Sequence, residues 1–398
     1  MGACSPVHRL FENFFDKLSA RIKRASSGQT EACLKNKKPQ VPSMSRPSVH
    51  AFGRGKIVIA ARKFLRRTLF PEGVILMKDT RKIAVIGAGR VGAATAYTLA
   101  LSALAGEIVL VDIDEKRARG EALDIAHGLP LYAALNVKSG GYDEIANADL
   151  VIITAGVSQK SGETRMELLD RNRAVFASIV PNIVRSAPNA VLLVVTNPVD
   201  ILTLETLRLS GLPGGRVMGT GTVLDTSRLK YLLSRHTGVD PRSIHACVLG
   251  EHGDGEFVAW SRASIAGLSL DEYCALCGRC RGPMSEQVSR QFEREVRRAA
   301  YEIIDMKGST CYAIALAVRR IAEAILRDEH SILTVSTLAQ GQYGLHDLCL
   351  SLPAVLGAQG VERVLEPGLD RTERARLMAI AKAHRAETQN DAHETILI

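Results

Sequence analysis

The chain has 398 residues, 46% of them hydrophobic, which suffices for two or three structural units with hydrophobic cores and excludes a disordered protein. No apolar run approaches the ~18 residues that a membrane-spanning helix needs, so we expect no membrane span. The net charge of +9 would suit nucleic acid, yet residues 1–76 hold 15 Lys and Arg against 4 Asp and Glu, leaving 36 basic and 38 acidic residues elsewhere. The body of the protein is nearly neutral, and we expect no nucleic-acid partner.

Residues 1–77 are predicted to form a basic, poorly ordered N-terminal extension. They combine stretches rich in Ser, Pro and Lys with an amphipathic run from Leu10 to Ile22. Arg-rich amphipathic segments are typical of transit peptides, although the acidic residues Glu12 and Asp16 count against that interpretation. An arm that binds a membrane surface or a partner, and an over-long start, remain alternatives.

Short apolar runs and helix-length amphipathic stretches alternate from Lys82 onward. The runs are typical of strands buried on both faces of a parallel sheet and comprise Ile83–Ile86, Ile108–Val111, Leu150–Ile153 and Val191–Val195. The amphipathic stretches between them include Lys116–His127 and Leu168–Arg185. This alternation predicts an α/β domain with a doubly wound parallel sheet over residues 78–220.

A different pattern follows this first domain. Longer helical stretches appear at Met284–Met306 and Tyr312–Leu326, and short strand-like runs lie near Ile332 and Leu348. We therefore predict a mixed α/β domain over residues 221–398 that ends in a C-terminal helix.

A glycine-rich turn directly follows the first predicted strand. It is a GxGxxG motif made of Gly87, Gly89, Arg90, Val91 and Gly92 around Ala88. The glycines allow a tight turn, close approach of the backbone to a pyrophosphate and close helix packing, and the helix N-terminus offers N–H groups to the anion. Asp112 ends the next strand 20 residues after Gly92, where its carboxylate would bind a ribose diol and repel a 2′-phosphate. The sequence therefore predicts a Rossmann-type domain that binds NAD.

Four polar motifs follow the dinucleotide fingerprint, and the first two lie at the ends of predicted strands, where ligands gather in such sheets. They begin at Thr154-Ala155-Gly156, at Thr196-Asn197, at Leu224-Asp225 and at Gly250-Glu251. The third motif contains Asp225 and Arg228, which lie one helical turn apart. The fourth contains His252 in a glycine-flanked loop. A protonated His can supply the proton when hydride reduces a carbonyl, a carboxylate can orient that His, and the planar Arg fork suits a substrate carboxylate.

On these motifs, the chain resembles the L-lactate/malate dehydrogenase family over about residues 80–385. The resemblance implies that His252 is the proton donor and acceptor, that Asp225 is its partner, and that Arg165 polarises the substrate carbonyl from a mobile loop. It implies a substrate site made of Gln159, Arg165, Asn197, Arg228 and Thr310. It implies cofactor binding by Gly87, Gly89, Arg90, Val91, Gly92, Asp112, Thr154, Ala155, Gly156 and Asn197.

Gln159 indicates which acid is bound. In the malate enzymes of this family an Arg at this place pairs with the second carboxylate of the substrate. A neutral Gln leaves that charge unpaired in a closed pocket, at a cost of several kcal/mol, whereas the methyl group of pyruvate meets no such penalty. We therefore expect pyruvate and lactate, with a 2-hydroxy acid that has a larger alkyl chain as the alternative. The contrasting hypothesis to an enzyme is a binding protein whose basic N-terminal arm tethers a dehydrogenase-like body.

The resemblance also concerns regulation and assembly. Lys230 and His245 are similar in place to a basic pair that binds fructose 1,6-bisphosphate at a subunit interface in many bacterial members. Lys lacks the bidentate geometry of the usual Arg, so ordinary polar interface residues remain the alternative. The family implies a tetramer or a dimer, and we expect a homotetramer.

Cys274, Cys277 and Cys280 are three of eight cysteines and form a CxxCxxC pattern. The usual zinc pattern needs a matching second pair, and no compact pair follows. We therefore predict a helical segment with reduced thiols and no metal. The cysteines imply no disulfide framework, which fits a reducing cytosol and a cytoplasmic protein.

Overall fold

The computed structural model describes residues 80–157, 165–280 and 282–389, which all belong to one compact unit, Ile75–Ile398. The whole of the predicted N-terminal extension, residues 1–77, and Gln159 lie outside the described residues. Within the part of the chain that is described, no helix is both long enough and apolar enough to span a membrane.

Six parallel strands form the first half of the main sheet. They are β1 (Lys82–Ile86), β2 (Glu107–Val111), β3 (Asn136–Ser139), β4 (Leu150–Ile153), β5 (Val191–Val194) and β6 (Val217–Gly219). Their spatial order is β3-β2-β1-β4-β5-β6, so the order reverses next to β1 and a crevice forms at the carboxyl ends of β1 and β4. β4 and β5 are completely buried, as their β-branched runs predict. The prediction of a doubly wound α/β fold is confirmed.

Helices cover both faces of this sheet. They are α1 (Arg90–Ser102), α2 (Glu115–Gly128), α3 (Arg165–Ser186) and α4 (Val199–Ser210). Two hydrophobic clusters, one on each face, use alternate residues of the same strands: Ile83 and Val85 lie in one, and Ala84 and Ile86 in the other. The sheet is therefore held between two apolar layers.

The second half contains helices and mainly antiparallel strands. The helices are α5 (Val223–Thr237), α6 (Leu270–Leu276), α7 (Glu286–Lys307), α8 (Tyr312–Leu326) and α9 (Arg371–Gln389). The strands are β7 (Ile244–His245), β8 (Val248–Gly250), β9 (Glu256–Val258), β10 (Ser264–Ile265), β11 (Leu268–Ser269), β12 (Ser331–Gln340), β13 (His346–Gly357) and β14 (Gly360–Val364). β7, β10 and β11 form a separate small sheet.

The main sheet does not stop at β6. Ser336 of β12 pairs antiparallel with Gly219 of β6, and the sheet then continues through β13, β8 and β9, with β14 also on β13. The two short strand-like runs of the sequence are therefore a 10-residue and a 12-residue strand. Their length was hidden because small and polar residues such as Ser336 and Ser351 interrupt the apolar runs although both are buried.

The thiol segment is only partly helical, unlike its prediction. Helix α6 ends at Leu276, with Cys274 inside it and Cys277 at its C-cap. Gly278 follows with a φ of +66°, a left-handed conformation that ends the helix, and Cys280 lies beyond it.

Candidate active site

The glycine turn joins β1 to α1 in a conformation that side chains would prevent. Gly87 has a φ of +102°, and a Cβ there would lie 2.5 Å from the backbone nitrogen of Ala155. A Cβ on Gly92 would lie 1.8 Å from the carbonyl oxygen of Gly87. Gly89 is the N-cap of α1, so no side chain caps the helix there, and a Cβ at this position would meet open space. Arg90 and Val91 begin the first helical turn. The helix N-terminus is thus open to an anionic group, as a dinucleotide pyrophosphate requires.

Asp112 lies beside this turn, directly after β2. Its Oδ2 accepts a hydrogen bond from the backbone N–H of Ala88 at 2.6 Å, and its Oδ1 accepts one from the N–H of Asp114 at 2.9 Å. The carboxylate is therefore held next to the glycine turn with further lone pairs free for a ribose diol. These residues fit NAD.

Two further loops meet at the carboxyl ends of β4 and β5. Thr154 donates a hydrogen bond to the carbonyl oxygen of Gly87 at 2.8 Å, and Gly156 packs so tightly that a Cβ would lie 2.4 Å from Thr196 Cγ2. Asn172, buried on α3, accepts from the N–H of Val157 and donates to the carbonyl oxygen of Asn197. Asn172 thus fixes both loops, while the side chain of Asn197 is exposed at the site.

Sequence reasoning missed Asn172. It lies within a predicted amphipathic helix, where a single buried amide leaves no mark in the hydrophobic pattern. A polar residue on the apolar face of that helix was the one available signal.

The polar centre consists of His252, Asp225 and Arg228. Asp225, at the start of α5, is 1% exposed. Its Oδ2 lies 2.7 Å from His252 Nδ1, and its Oδ1 accepts a hydrogen bond from Arg228 Nη1 at 2.7 Å. Because a carboxylate only accepts, Nδ1 carries a hydrogen and Nε2 is left for another partner.

Hydrogen bonds between α5 and β8 bring these residues together although they are far apart in sequence. The Thr222 hydroxyl donates to the carbonyl oxygen of Val248 at 2.5 Å, and the N–H of Val248 donates to the Thr226 hydroxyl at 3.0 Å. β8 then leads into the loop that carries His252, whose own N–H donates to buried Asp200 at 2.8 Å. Burial raises the pKa of Asp200.

Charge sets the protonation of this centre. Burial lowers the pKa of His252, but the charge and hydrogen bond of Asp225 outweigh it and raise that pKa to about 9. Burial opposes ionisation of Asp225, yet His252 and Arg228 together hold the pKa of Asp225 below its usual value. At neutral pH the centre is therefore an imidazolium, a carboxylate and a guanidinium.

Glu256 is a neighbour of this centre that sequence reasoning did not select. It is buried at the start of β9, with Oε2 4.0 Å from His252 Nδ1. Burial, followed by the nearby charge of Asp225, raises the pKa of Glu256 to about 8. Oxygen and nitrogen atoms of Asp225, His252 and Glu256 are close enough together to be metal ligands, but the Arg228 cation on Asp225 opposes a second cation and favours acid–base chemistry.

The remaining predicted residues lie as follows. Arg90 donates a hydrogen bond to Ser309 at 3.0 Å, which brings the loop containing half-buried Thr310 to the glycine turn. Arg165 begins α3, and its side chain is outside the described residues. Lys230 lies two residues beyond Arg228 on α5, and His245 is exposed on β7.

The chain matches two family models in succession. Residues 81–219 match the NAD binding domain of lactate/malate dehydrogenase, and residues 222–395 match its alpha/beta C-terminal domain. Together these ranges include the glycine turn and the polar centre. The prediction of NAD as the cofactor is confirmed.

Curated relatives and solved structures agree with the family models. An L-lactate dehydrogenase of Thermoanaerobacterium saccharolyticum is 52% identical over 73% of this chain and 93% of its own length, and one of Acetivibrio thermocellus is 54% identical over 72% and 90%. A crystal structure of a lactate dehydrogenase from a Medee basin deep-sea metagenome library has a TM-score of 0.75 and 40% identity, covering 78% of this chain and 98% of that one. With its NAD-binding turn and its polar centre both inside the matched ranges, the chain belongs to the lactate/malate dehydrogenase family.

Proposed function

We propose that this enzyme reduces pyruvate to L-lactate with NADH and catalyses the reverse reaction, with His252 as acid and base. The observation that carries the proposal is the polar centre, in which one buried carboxylate orients His252 and also holds Arg228. The curated relatives named L-lactate dehydrogenase support the same activity.

Each residue of the centre has a distinct task in this proposal. When bound, NADH supplies the hydride to the carbonyl carbon. The Nε2–H of protonated His252 donates a proton to the substrate oxygen as negative charge develops on it, and Asp225 stabilises the imidazolium before transfer. Arg228 binds the substrate carboxylate through its planar fork, which fixes the carbonyl in reach of His252. Arg165 polarises the carbonyl, and Asn197 and Thr310 line the pocket.

Cofactor binding falls to the glycine turn and the loops beside it. Gly87, Gly89 and Gly92 keep side chains out of the turn, and Arg90 and Val91 present the first N–H groups of α1 to the pyrophosphate. Asp112 accepts from the ribose hydroxyls, which excludes a 2′-phosphate by charge repulsion. Thr154, Ala155, Gly156 and Asn197 form the wall at the ends of β4 and β5.

The choice of pyruvate rests on the neutral residue Gln159. The full-length protein should be assayed for NADH oxidation with pyruvate, oxaloacetate and 2-ketoisocaproate. We expect the highest kcat/KM with pyruvate, and oxaloacetate as the best substrate would overturn the proposal. A preference for 2-ketoisocaproate would instead support the alternative, a dehydrogenase for larger alkyl 2-hydroxy acids. The variant Gln159→Arg provides the matched comparison, because its added charge should favour oxaloacetate.

The pH dependence of the two reaction rates should report the protonation of His252. Because the pKa of His252 is raised to about 9, the proton donor is present below that pH and lost above it. Pyruvate reduction should therefore fall as the pH rises through about 9, whereas lactate oxidation, which needs neutral His252, should rise. Glu256→Gln removes a negative charge that favours the imidazolium, so it should shift both profiles to lower pH. An unchanged or alkaline-shifted profile of Glu256→Gln would contradict this assignment.

We also propose that Lys230 and His245 bind fructose 1,6-bisphosphate in a homotetramer. Their chain neighbours Leu229 and Ile244 pack in one hydrophobic cluster, which supports a position side by side. Burial lowers the pKa of Lys230, and the negative charge of a bound phosphate would oppose that shift. Titration with the sugar bisphosphate at low pyruvate should lower the half-saturation concentration in the wild type and not in Lys230→Gln. No change in the wild type would refute effector binding.

We propose that the division of the chain follows the two matched ranges. Residues 78–220 then bind NAD, and residues 221–398 supply His252, Asp225 and Arg228. The boundaries of the family matches, at residues 219 and 222, support this division.

A further inference from the structure

A cluster of two thiols and one imidazole, with a third thiol next to it, lies at the end of α5 that is remote from the polar centre. His236 occupies the last turn of α5, and Cys280 Sγ lies 3.4 Å from its Nε2. Cys274 Sγ belongs to the same group, since it and the ligand atoms of His236 and Cys280 all lie within 4.8 Å of one another. Cys277 Sγ is not part of that group, but Cys277 is in the turn between the other two cysteines, and its sulfur accepts the N–H of Cys280 at 3.3 Å.

The spacing of these atoms suits a tetrahedral zinc ion. With Zn–S bonds of about 2.3 Å and a Zn–N bond of about 2.0 Å, the edge from sulfur to nitrogen is about 3.5 Å. The separation of 3.4 Å between Cys280 Sγ and His236 Nε2 is close to that edge. Soft thiolates with one imidazole form the Cys₃His set that structural zinc prefers.

The burial and packing of these side chains are compatible with metal binding. Cys274 is buried, and Cys277, Cys280 and His236 are half-buried, so an ion there would be shielded from solvent. The ring of His236 packs edge-on against Phe292 of α7, with ring centroids 5.7 Å apart, which restricts its orientation. Gly278, with its φ of +66°, turns the chain between Cys277 and Cys280, so that the Cys277 sulfur faces the backbone N–H of Cys280.

The imidazole of His236 is the ligand that the sequence pattern did not reveal. A CxxCxxC run without a second pair argues against zinc, but His236 comes from 44 residues earlier in the chain and is placed by the packing of α5 against its neighbours. We propose that His236, Cys274, Cys277 and Cys280 bind a structural zinc ion. This site replaces the expectation of uncoordinated thiols.

Such an ion would join α5 to α6, which otherwise share only one small hydrophobic cluster. The hydrophobic cluster at this end combines Leu229 and Leu233 of α5 with Leu270 of α6 and Phe292 and Val296 of α7. His236 lies eight residues beyond Arg228, or about 12 Å along the helix, so the zinc does not touch the polar centre. Its role is to fix α6 and the turn after it onto α5.

The test is the zinc content of the full-length protein purified under reducing conditions without chelator. Mass spectrometry of the metal should find about one equivalent of zinc per chain in the wild type and in Cys247→Ser, a half-buried cysteine outside the cluster. Cys280→Ser and His236→Gln should lose the ion, and Cys277→Ser should lose it as well. Cobalt(II) added to zinc-free wild type should give the intense absorption of a tetrahedral thiolate site, and Cys280→Ser should not.

Circular dichroism and pyruvate reduction serve as controls for folding. We expect Cys280→Ser to retain its spectrum and kcat while its thermal midpoint falls by several degrees, so metal loss is separable from unfolding. Failure of the proposed activity would leave the metal measurement unaffected. Zinc-free wild type that also takes up no zinc or cobalt overturns the site, as does full zinc content in Cys280→Ser or His236→Gln. Full content in Cys277→Ser overturns the four-ligand set, and a disulfide between Cys277 and Cys280 in wild type overturns zinc binding.

Discussion

Replacing His252 with glutamine should lower kcat for pyruvate reduction by roughly 10²–10⁴-fold, the range that general acid catalysis contributes. Glutamine keeps a polar side chain of similar reach, but it cannot deliver a proton to the substrate oxygen. The dissociation constant of NADH should not change, because the glycine turn and Asp112 are untouched. Steady-state kinetics and NADH fluorescence titration measure the two quantities.

His330 provides the matched control for that variant. It is exposed and pairs with Glu362 through Nδ1 at 2.9 Å, away from the polar centre. His330→Gln should therefore leave kcat unchanged. If His252→Gln retained more than about a tenth of the wild-type kcat, His252 would not be the main proton donor.

Replacing Arg228 with lysine should raise the KM for pyruvate by about 10–100-fold. Lysine retains the positive charge but loses the planar fork, which removes one charge-assisted hydrogen bond of about 1.5–3 kcal/mol. The bond from Arg228 to Asp225 Oδ1 also disappears, so we expect a smaller fall in kcat through His252. Initial-rate kinetics over a range of pyruvate concentrations separate the two effects.

Arg235→Lys is the control on the same helix, since Arg235 is exposed near its far end. Its KM should equal that of the wild type. Equal KM values for Arg228→Lys and wild type would show that Arg228 does not clamp the substrate carboxylate.

Much of the fold could be predicted from local pattern. Strand β4 and helix α8 have the bounds that the sequence indicates, because a buried apolar run and an amphipathic stretch are signals carried by neighbouring residues. The same holds for the glycine turn, where Gly87 and Gly92 each exclude a side chain from a position that backbone already occupies. Local sterics therefore determine the features that the sequence revealed most clearly.

Polar residues in the core were harder to predict. Asn172 joins the loops after β4 and β5, Asp200 holds the backbone of His252, and Glu256 lies beside the imidazole. None of them belongs to a short motif with a known spacing. Asn172 and Asp200 act through partners that are distant in the chain, and Glu256, four residues from His252, reaches the imidazole only because the loop between them folds back. Their importance depends on burial, and burial is a property of the folded molecule.

By itself, the sequence determined the alternating strands and helices, the dinucleotide turn and the identities of His252, Asp225 and Arg228, because adjacent residues carry those signals. It also separated the basic first 76 residues from a nearly neutral body. Only the tertiary structure decided that one sheet extends across both halves and that His236 lies beside Cys274 and Cys280. Pairing of β6 with β12 and packing of α5 beside α6 bring together groups far apart in sequence, and the geometry of such contacts exists only once the chain is folded.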